Sequence, residues 1–208
     1  MAATAIEVTE LVYQALENEA GGIKVYESAI ACAINEDLKK EWNEYLEQTR
    51  EHHRILTDLI ERLGLDPDAE LPSRQVVRHI GESLVMAMAM AQKGGKPEVA
   101  QIVAAEGVVN AETKCHMMWE LIGKVGRDSE GAEAELFKAA YDQVEDQEDE
   151  HLYHTKGWAR ELWIQSLGMP AVLPPPEEVK KVETAIAAAK AEASRDMMLD
   201  RTRGAGNA

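Results

Sequence analysis

The sequence predicts an all-α chain built as a bundle of long helices. Ala, Glu, Leu, Lys and Met dominate, while Phe, Trp and Tyr together make up only 5% of the residues. That favours helix over sheet, where β-branched and aromatic residues prevail. Apolar residues also recur at alternating steps of four and three along four long segments, the spacing of inward-facing bundle positions. At 208 residues the chain is long enough for one sizeable core with an appendage.

The breaks follow in order. Thr4 and Glu7 form a capping box that opens a first helix over about 5–33. Asn35 supplies the N-cap of a second helix, about 36–63, so the first two helices are antiparallel neighbours. "GLDPDAELPS" ends that helix, and a shorter crossover helix covers about 73–93 up to "GGKP". Pro97 begins the next bundle helix, about 97–124. Ser129 caps a long last bundle helix over about 130–167. The bundle thus spans 4–168, a Pro-rich connector 169–177, and a C-terminal helix with a frayed tail 178–208. That last helix carries a thin apolar stripe (Val179, Val182, Ile186, Ala189, Ala193, Met197), expected to pack on the bundle or on a partner chain.

Tracing the seams places polar residues where apolar ones belong. The second helix has Leu38, Trp42, Tyr45, Thr49, His52, Leu56, Leu59 and Leu63; the last bundle helix has Phe137, Tyr141, Val144, Glu148, His151, Thr155, Trp158 and Leu162. The first helix carries Glu19 and Tyr26 in its seam, and the one after Pro97 carries Glu112, His116 and Trp119. The two halves therefore match, Glu19 with Glu112, Tyr26 with Trp119, Thr49 with Glu148 and His52 with His151. The acidic run "EDQEDEHLYH" divides: Glu148 and His151 face the seam, while Glu145, Asp146, Asp149 and Glu150 lie mostly off it. His53 and His154 are off the seam, where surface pairing is expected. Met86, Met88 and Met90 alternate along the crossover helix, which points to burial on several sides or against a second subunit rather than convergence on an ion.

A lone seam glutamate or histidine is commonly a satisfied buried polar residue. Three carboxylates and two imidazoles at one level repel one another and are poorly solvated without a cation. A divalent metal supplies that charge, and carboxylate with imidazole suits iron, manganese or zinc. The net charge of -16 argues against nucleic acid and anionic membrane surfaces. No stretch is apolar for long enough to span a bilayer, Met1–Leu11 lacks the features of a signal peptide, and Cys32 and Cys115 form no CxxC. A cytoplasmic protein in a reducing environment is expected.

On "ALENEAGGIKVYESAIACAINEDLKKEWNEYLEQTREHHRIL", "AETKCHMMWEL" and "EDQEDEHLYH", the chain resembles the ferritin-like superfamily, which includes rubrerythrin, bacterioferritin and manganese catalase. The resemblance spans about 15–167 and rests on a handful of positions. It implies a ferritin-like four-helix bundle with a left-handed crossover connection containing the short helix, around a mono- or dinuclear non-haem iron or manganese centre. Glu19 and Glu112 match the single-glutamate positions, Glu148 and His151 a full Glu-x-x-His motif, and His52 the histidine of the other. Thr49 stands where that other motif has a bridging glutamate, and Cys115 where rubrerythrins carry an extra metal-binding glutamate. Three states are compatible: one metal on Glu112, Glu148 and His151; two metals with one carboxylate bridge; or no metal, with the polar residues bonded to one another. Cys115 is either a thiolate ligand or a small packing residue, and His116 flanks the same level.

The expected function is that of a metal-dependent oxidoreductase or iron-handling protein acting on dioxygen, peroxide or ferrous iron. Glu19, His52, Glu112, Glu148 and His151 are its ligands, and Tyr26 and Tyr45 are either core packing residues or redox-active neighbours of the metal. A homodimer or other small homo-oligomer is expected. The alternative is a degenerate bundle without catalytic metal, serving as a structural or stress-related interaction protein.

Overall fold

The computed structural model describes residues 5–181 and 184–199, so Thr4, Val182 and the tail after 199 lie outside the described residues. Eight helices and no strands occur among them: α1 Ala5–Cys32, α2 Glu36–Arg62, α3 Pro72–Gly94, α4 Pro97–Asp128, α5 Ala132–Tyr141, α6 Glu145–Ser166, α7 Pro176–Val179 and α8 Ala185–Ala193. None is long and apolar enough to cross a membrane.

The α1–α2 turn is set by local chemistry. The Asn35 side chain accepts from the backbone N–H groups of Asp37 and Leu38, satisfying two donors at the start of α2. Gln101 of α4 accepts from the N–H groups of Ile34 and Asn35 at 2.8 and 2.7 Å, tying this turn to the bundle. Pro72 and Pro97 begin α3 and α4, where a missing N–H costs nothing. The crossover helix α3 is held on α1 by Glu17, which accepts from Arg74 at 3.0 Å and Arg78 at 2.7 Å. Gly21 and Gly81 face each other there, the gap being closed by backbone rather than side chains.

Buried apolar side chains form two clusters with a polar layer between them. One gathers Val25–Cys32 of α1 with Ala33 just after it, Leu38–Leu46 of α2, Met88, Ala100–Val108 of α4, and Trp158 and Leu162 of α6. The other gathers Val12–Leu16, Ile55–Ile60, Met118–Ile122 and Phe137–Val144. Glu19, Thr49, His52, Glu112, Glu148 and His151 fall between the two on their respective helices, and all are buried.

Several expectations are corrected. The helix expected over 130–167 breaks at residues 142–144 into α5 and α6. The bonds tighten there to Gln143 N–H on Ala140 O and Val144 N–H on Tyr141 O, so the break needs no proline or glycine. Ser129 closes α4 rather than opening α5; Gly131, at φ 96°, makes the turn instead. The C-terminal helix is divided into α7 and α8. The visible part of its apolar stripe (Val179, Ile186, Ala189, Ala193, Met197) is exposed, while Ala191 and Ser194 are buried. Ion pairs orient this segment: Arg160 bonds Glu177 at 2.6 Å, and Arg195 bonds the buried Glu161 at 2.9 Å. Met88 is buried but Met86 and Met90 are exposed, so α3 buries one face only.

Candidate metal centre

The polar layer is built from matching pieces of the two halves. His52 of α2 and His151 of α6 stack with ring centroids 5.5 Å apart. His52 Nε2 donates to Gln147 Oε1 at 2.7 Å, and His151 Nε2 donates to Gln48 Oε1, also at 2.7 Å. Each glutamine precedes the histidine of its own helix by four residues, in "QTREH" (48–52) and "QEDEH" (147–151), and serves the histidine opposite. A glutamine carbonyl at Nε2 places a proton there and turns Nδ1 inward.

Both Nδ1 atoms look at carboxylates. His52 Nδ1 lies 2.9 Å from Glu148 Oε1, and His151 Nδ1 lies 3.7 Å from Glu112 Oε1 without a hydrogen bond. The aromatics cross between halves in the same way. Trp119 Nε1 donates to Glu19 Oε1 at 2.8 Å, while the fully buried Tyr26 hydroxyl adjoins Glu112 without reaching hydrogen-bond geometry.

Electrostatics follow from burial among like charges. Burial, then the Glu148 charge, pushes the Glu112 carboxyl up to about 8. Burial and Asp149 push Glu148 up to about 8 as well. Glu19 is raised well above the ordinary range by burial and Glu148, while burial and His52 hold His151 well below its usual value. Without a cation, burial favours the neutral form of the three carboxyls in this layer.

The residues present fit a divalent metal. Glu19 Oε2, Glu112 Oε2, Glu148 Oε2 and His151 Nδ1 are buried without a hydrogen-bond partner. Such atoms are costly to bury unless something pairs with them. Ligand atoms of His52, Glu148 and His151 lie within 4.8 Å of one another, and so do those of Glu19, Cys115 and Glu148.

The remaining candidates divide. Thr49 sits in the layer, but its hydroxyl donates to the Tyr45 carbonyl at 2.8 Å and its methyl lies against Gly22. Gly22 is therefore the small residue that lets α1 approach Thr49. His116 stays at the half-buried edge, bonded to Asp149 and outside both donor groups. His154 is not a surface residue: it is 5% exposed, with Nδ1 2.9 Å from Tyr45 Oη and 3.3 Å from Glu41. Its burial follows from Glu41, an acceptor that the seam pattern left out. Sequence reasoning also missed Gln48, Gln147 and Asn18; the repeated Gln-x-x-x-His spacing was the available signal for the first two.

Comparison with protein-family models, curated proteins and solved structures finds no match for this chain.

Proposed function

We propose that this chain is a ferritin-like four-helix bundle that binds one or two divalent transition-metal ions in its polar layer. It acts as a non-haem iron or manganese oxidoreductase or iron-handling protein on dioxygen, peroxide or ferrous iron. The observation that carries this reading is the pair of inward Nδ1 atoms, each fixed by a glutamine from the opposite helix and facing a buried carboxylate. Metal-binding imidazoles are oriented in this way, through a hydrogen bond at the nitrogen that does not ligate.

The order of the two apolar clusters along the chain supports the fold. α1 and α6 run from the second cluster to the first, while α2 and α4 run from the first to the second. Consecutive bundle helices α2 and α4 then run in the same sense, which requires the return connection that α3 provides, as in ferritin-like bundles with one long crossover.

Glu19, Glu112, Glu148, His52 and His151 would hold the metal. A bound iron or manganese ion supplies redox chemistry and Lewis acidity that none of these side chains has. The residues supply the rest. Glu112 and Glu148 release protons as they become ligands, and the two apolar clusters keep bulk water from the layer. The Tyr26 hydroxyl, buried beside Glu112, would hold its proton towards that carboxylate.

A second reading has its own observation. Thr49 commits its hydroxyl to its own helix, and His52–Glu148 and Trp119–Glu19 are already bonded without a cation. A bundle that has lost its metal and serves as a structural or interaction protein fits those facts. Metal analysis of protein purified without chelators separates the two. The metal reading expects about one or two equivalents of iron, manganese or zinc, lost in Glu148→Ala without loss of helicity. No uptake after reconstitution with iron, manganese and zinc would refute it. Ferrous-dependent oxygen or peroxide consumption is the next assay.

A further inference from the structure

Two cysteines are buried, and they are buried differently. Cys32 lies inside the first apolar cluster. Cys115 is 2% exposed yet belongs to neither cluster. Its Sγ stands within 4.8 Å of ligand oxygens of Glu19 and Glu148, and the Asn18 amide donates to it at 2.7 Å. Glu19 Oε2 and Glu148 Oε2 are buried with no hydrogen-bond partner. Two carboxylates and an amide donor are poor company for a packing thiol and good company for a thiolate beside a cation.

We propose that Cys115, Glu19 and Glu148 form a second metal subsite, joined to the imidazole subsite of His52 and His151 through Glu148. The proposal rests on the metal-binding reading and sharpens it by naming a sulfur donor and the metals it favours. Glu148 is the one residue in both donor groups. A thiolate ligand biases the subsite towards zinc, cobalt or ferrous iron, because manganese prefers oxygen donors.

Ligation changes no oxidation state. The sulfur–metal bond forms as the S–H bond breaks, and the proton leaves to solvent. In the metal-free chain, burial holds the thiol well above its ordinary value. Asn18 also lines a cavity of about 400 Å³ between α1, α3 and α4, bordered by Gly21, Gly22, Gly81 and Lys114.

Cobalt(II) titration of the metal-free protein tests this, read by near-ultraviolet absorption and bound metal. The wild type is expected to bind about two equivalents and to develop a thiolate-to-cobalt charge-transfer band with one of them. Cys115→Ser should lose that band and one equivalent while keeping the other and its far-ultraviolet circular dichroism. Glu19→Gln, which leaves the thiol in place, should weaken the same equivalent by about tenfold or more. Zinc should displace the band and equimolar manganese should not. Cobalt bound by the wild type without the band, or a band that survives Cys115→Ser, would overturn the thiolate subsite while leaving the imidazole site standing. Absence of any bound cobalt would overturn both.

Discussion

Gln48, one residue before Thr49, accepts a hydrogen bond from Nε2 of His151 across the bundle at 2.7 Å. Gln147 makes the same bond to His52. This exchange fixes both ring orientations, so in the proposed metal site the glutamines would set the ligand geometry without being ligands. Gln48→Leu should keep helicity and weaken zinc affinity by about 10–100-fold in a chelator competition. Gln147→Leu should do the same. Unchanged affinity in both variants would show that the rings are held by packing alone.

The protonated state of the layer gives the metal-free chain an unusual pH response. Glu112 and Glu148 titrate near 8 in the fold against 4.5 as free side chains, so between those values the folded state holds protons that the unfolded chain has lost. Stability then falls as pH rises. His151, depressed from 6.5, acts in the opposite sense, but only below that pH. From pH 6.5 to 8 the carboxyls therefore act without it. Thermal melts in chelator should lose about 5 °C or more across that window. Zinc should abolish or reverse the trend, and Glu148→Gln should flatten it. A melting temperature that rises with pH in chelator would contradict the protonated layer.

The elements were legible where a residue carries a backbone instruction: Asn35 as N-cap, Pro97 at a helix start, Gly95 after α3. The seam of the last bundle helix was legible in full, because Phe137 through Leu162 keep the bundle spacing across the break and all are buried. The break itself was not, since residues 142–144 contain no helix breaker. Glu19, His52, Glu112, Glu148 and His151 were legible as polar intruders in apolar seams. Their supporting partners were not, because Gln48, Gln147 and Asn18 stand one position off the seam and look like surface residues until the opposite helix is in place. The C-terminal segment misled for a related reason: its rotation is set by Arg160 and Arg195, not by its apolar stripe.

Glycines in the helices should separate by what faces them. A methyl group at Gly21 would meet the Gly81 backbone at 3.8 Å, an ordinary contact. Gly21→Ala should therefore stabilise the chain by about 0.5–1 kcal/mol through helix propensity. At Gly123 the same methyl would lie 2.7 Å from the Tyr141 ring, which is packed between α4 and α5. Gly123→Ala should cost about 1–3 kcal/mol. Urea denaturation of the two variants checks the order, and equal effects would mean that the α1–α3 and α4–α5 approaches are misjudged.

Thr49 is the position where the repeat is broken, and restoring the carboxylate tests what the layer is for. Thr49→Glu removes the bond to the Tyr45 carbonyl and forces a longer side chain towards Gly22, where the threonine methyl already fits closely. It also adds a fourth carboxylate to a layer in which burial already raises three. The metal-free variant should consequently melt below the wild type. A divalent ion offsets that added charge and gains a ligand, so metal should raise the variant's melting temperature by more than it raises the wild type's. Melts with zinc and with chelator at fixed pH measure both differences. If metal rescues the variant no better than the wild type, position 49 does not face the metal, and the match between Thr49 and Glu148 is one of sequence spacing only.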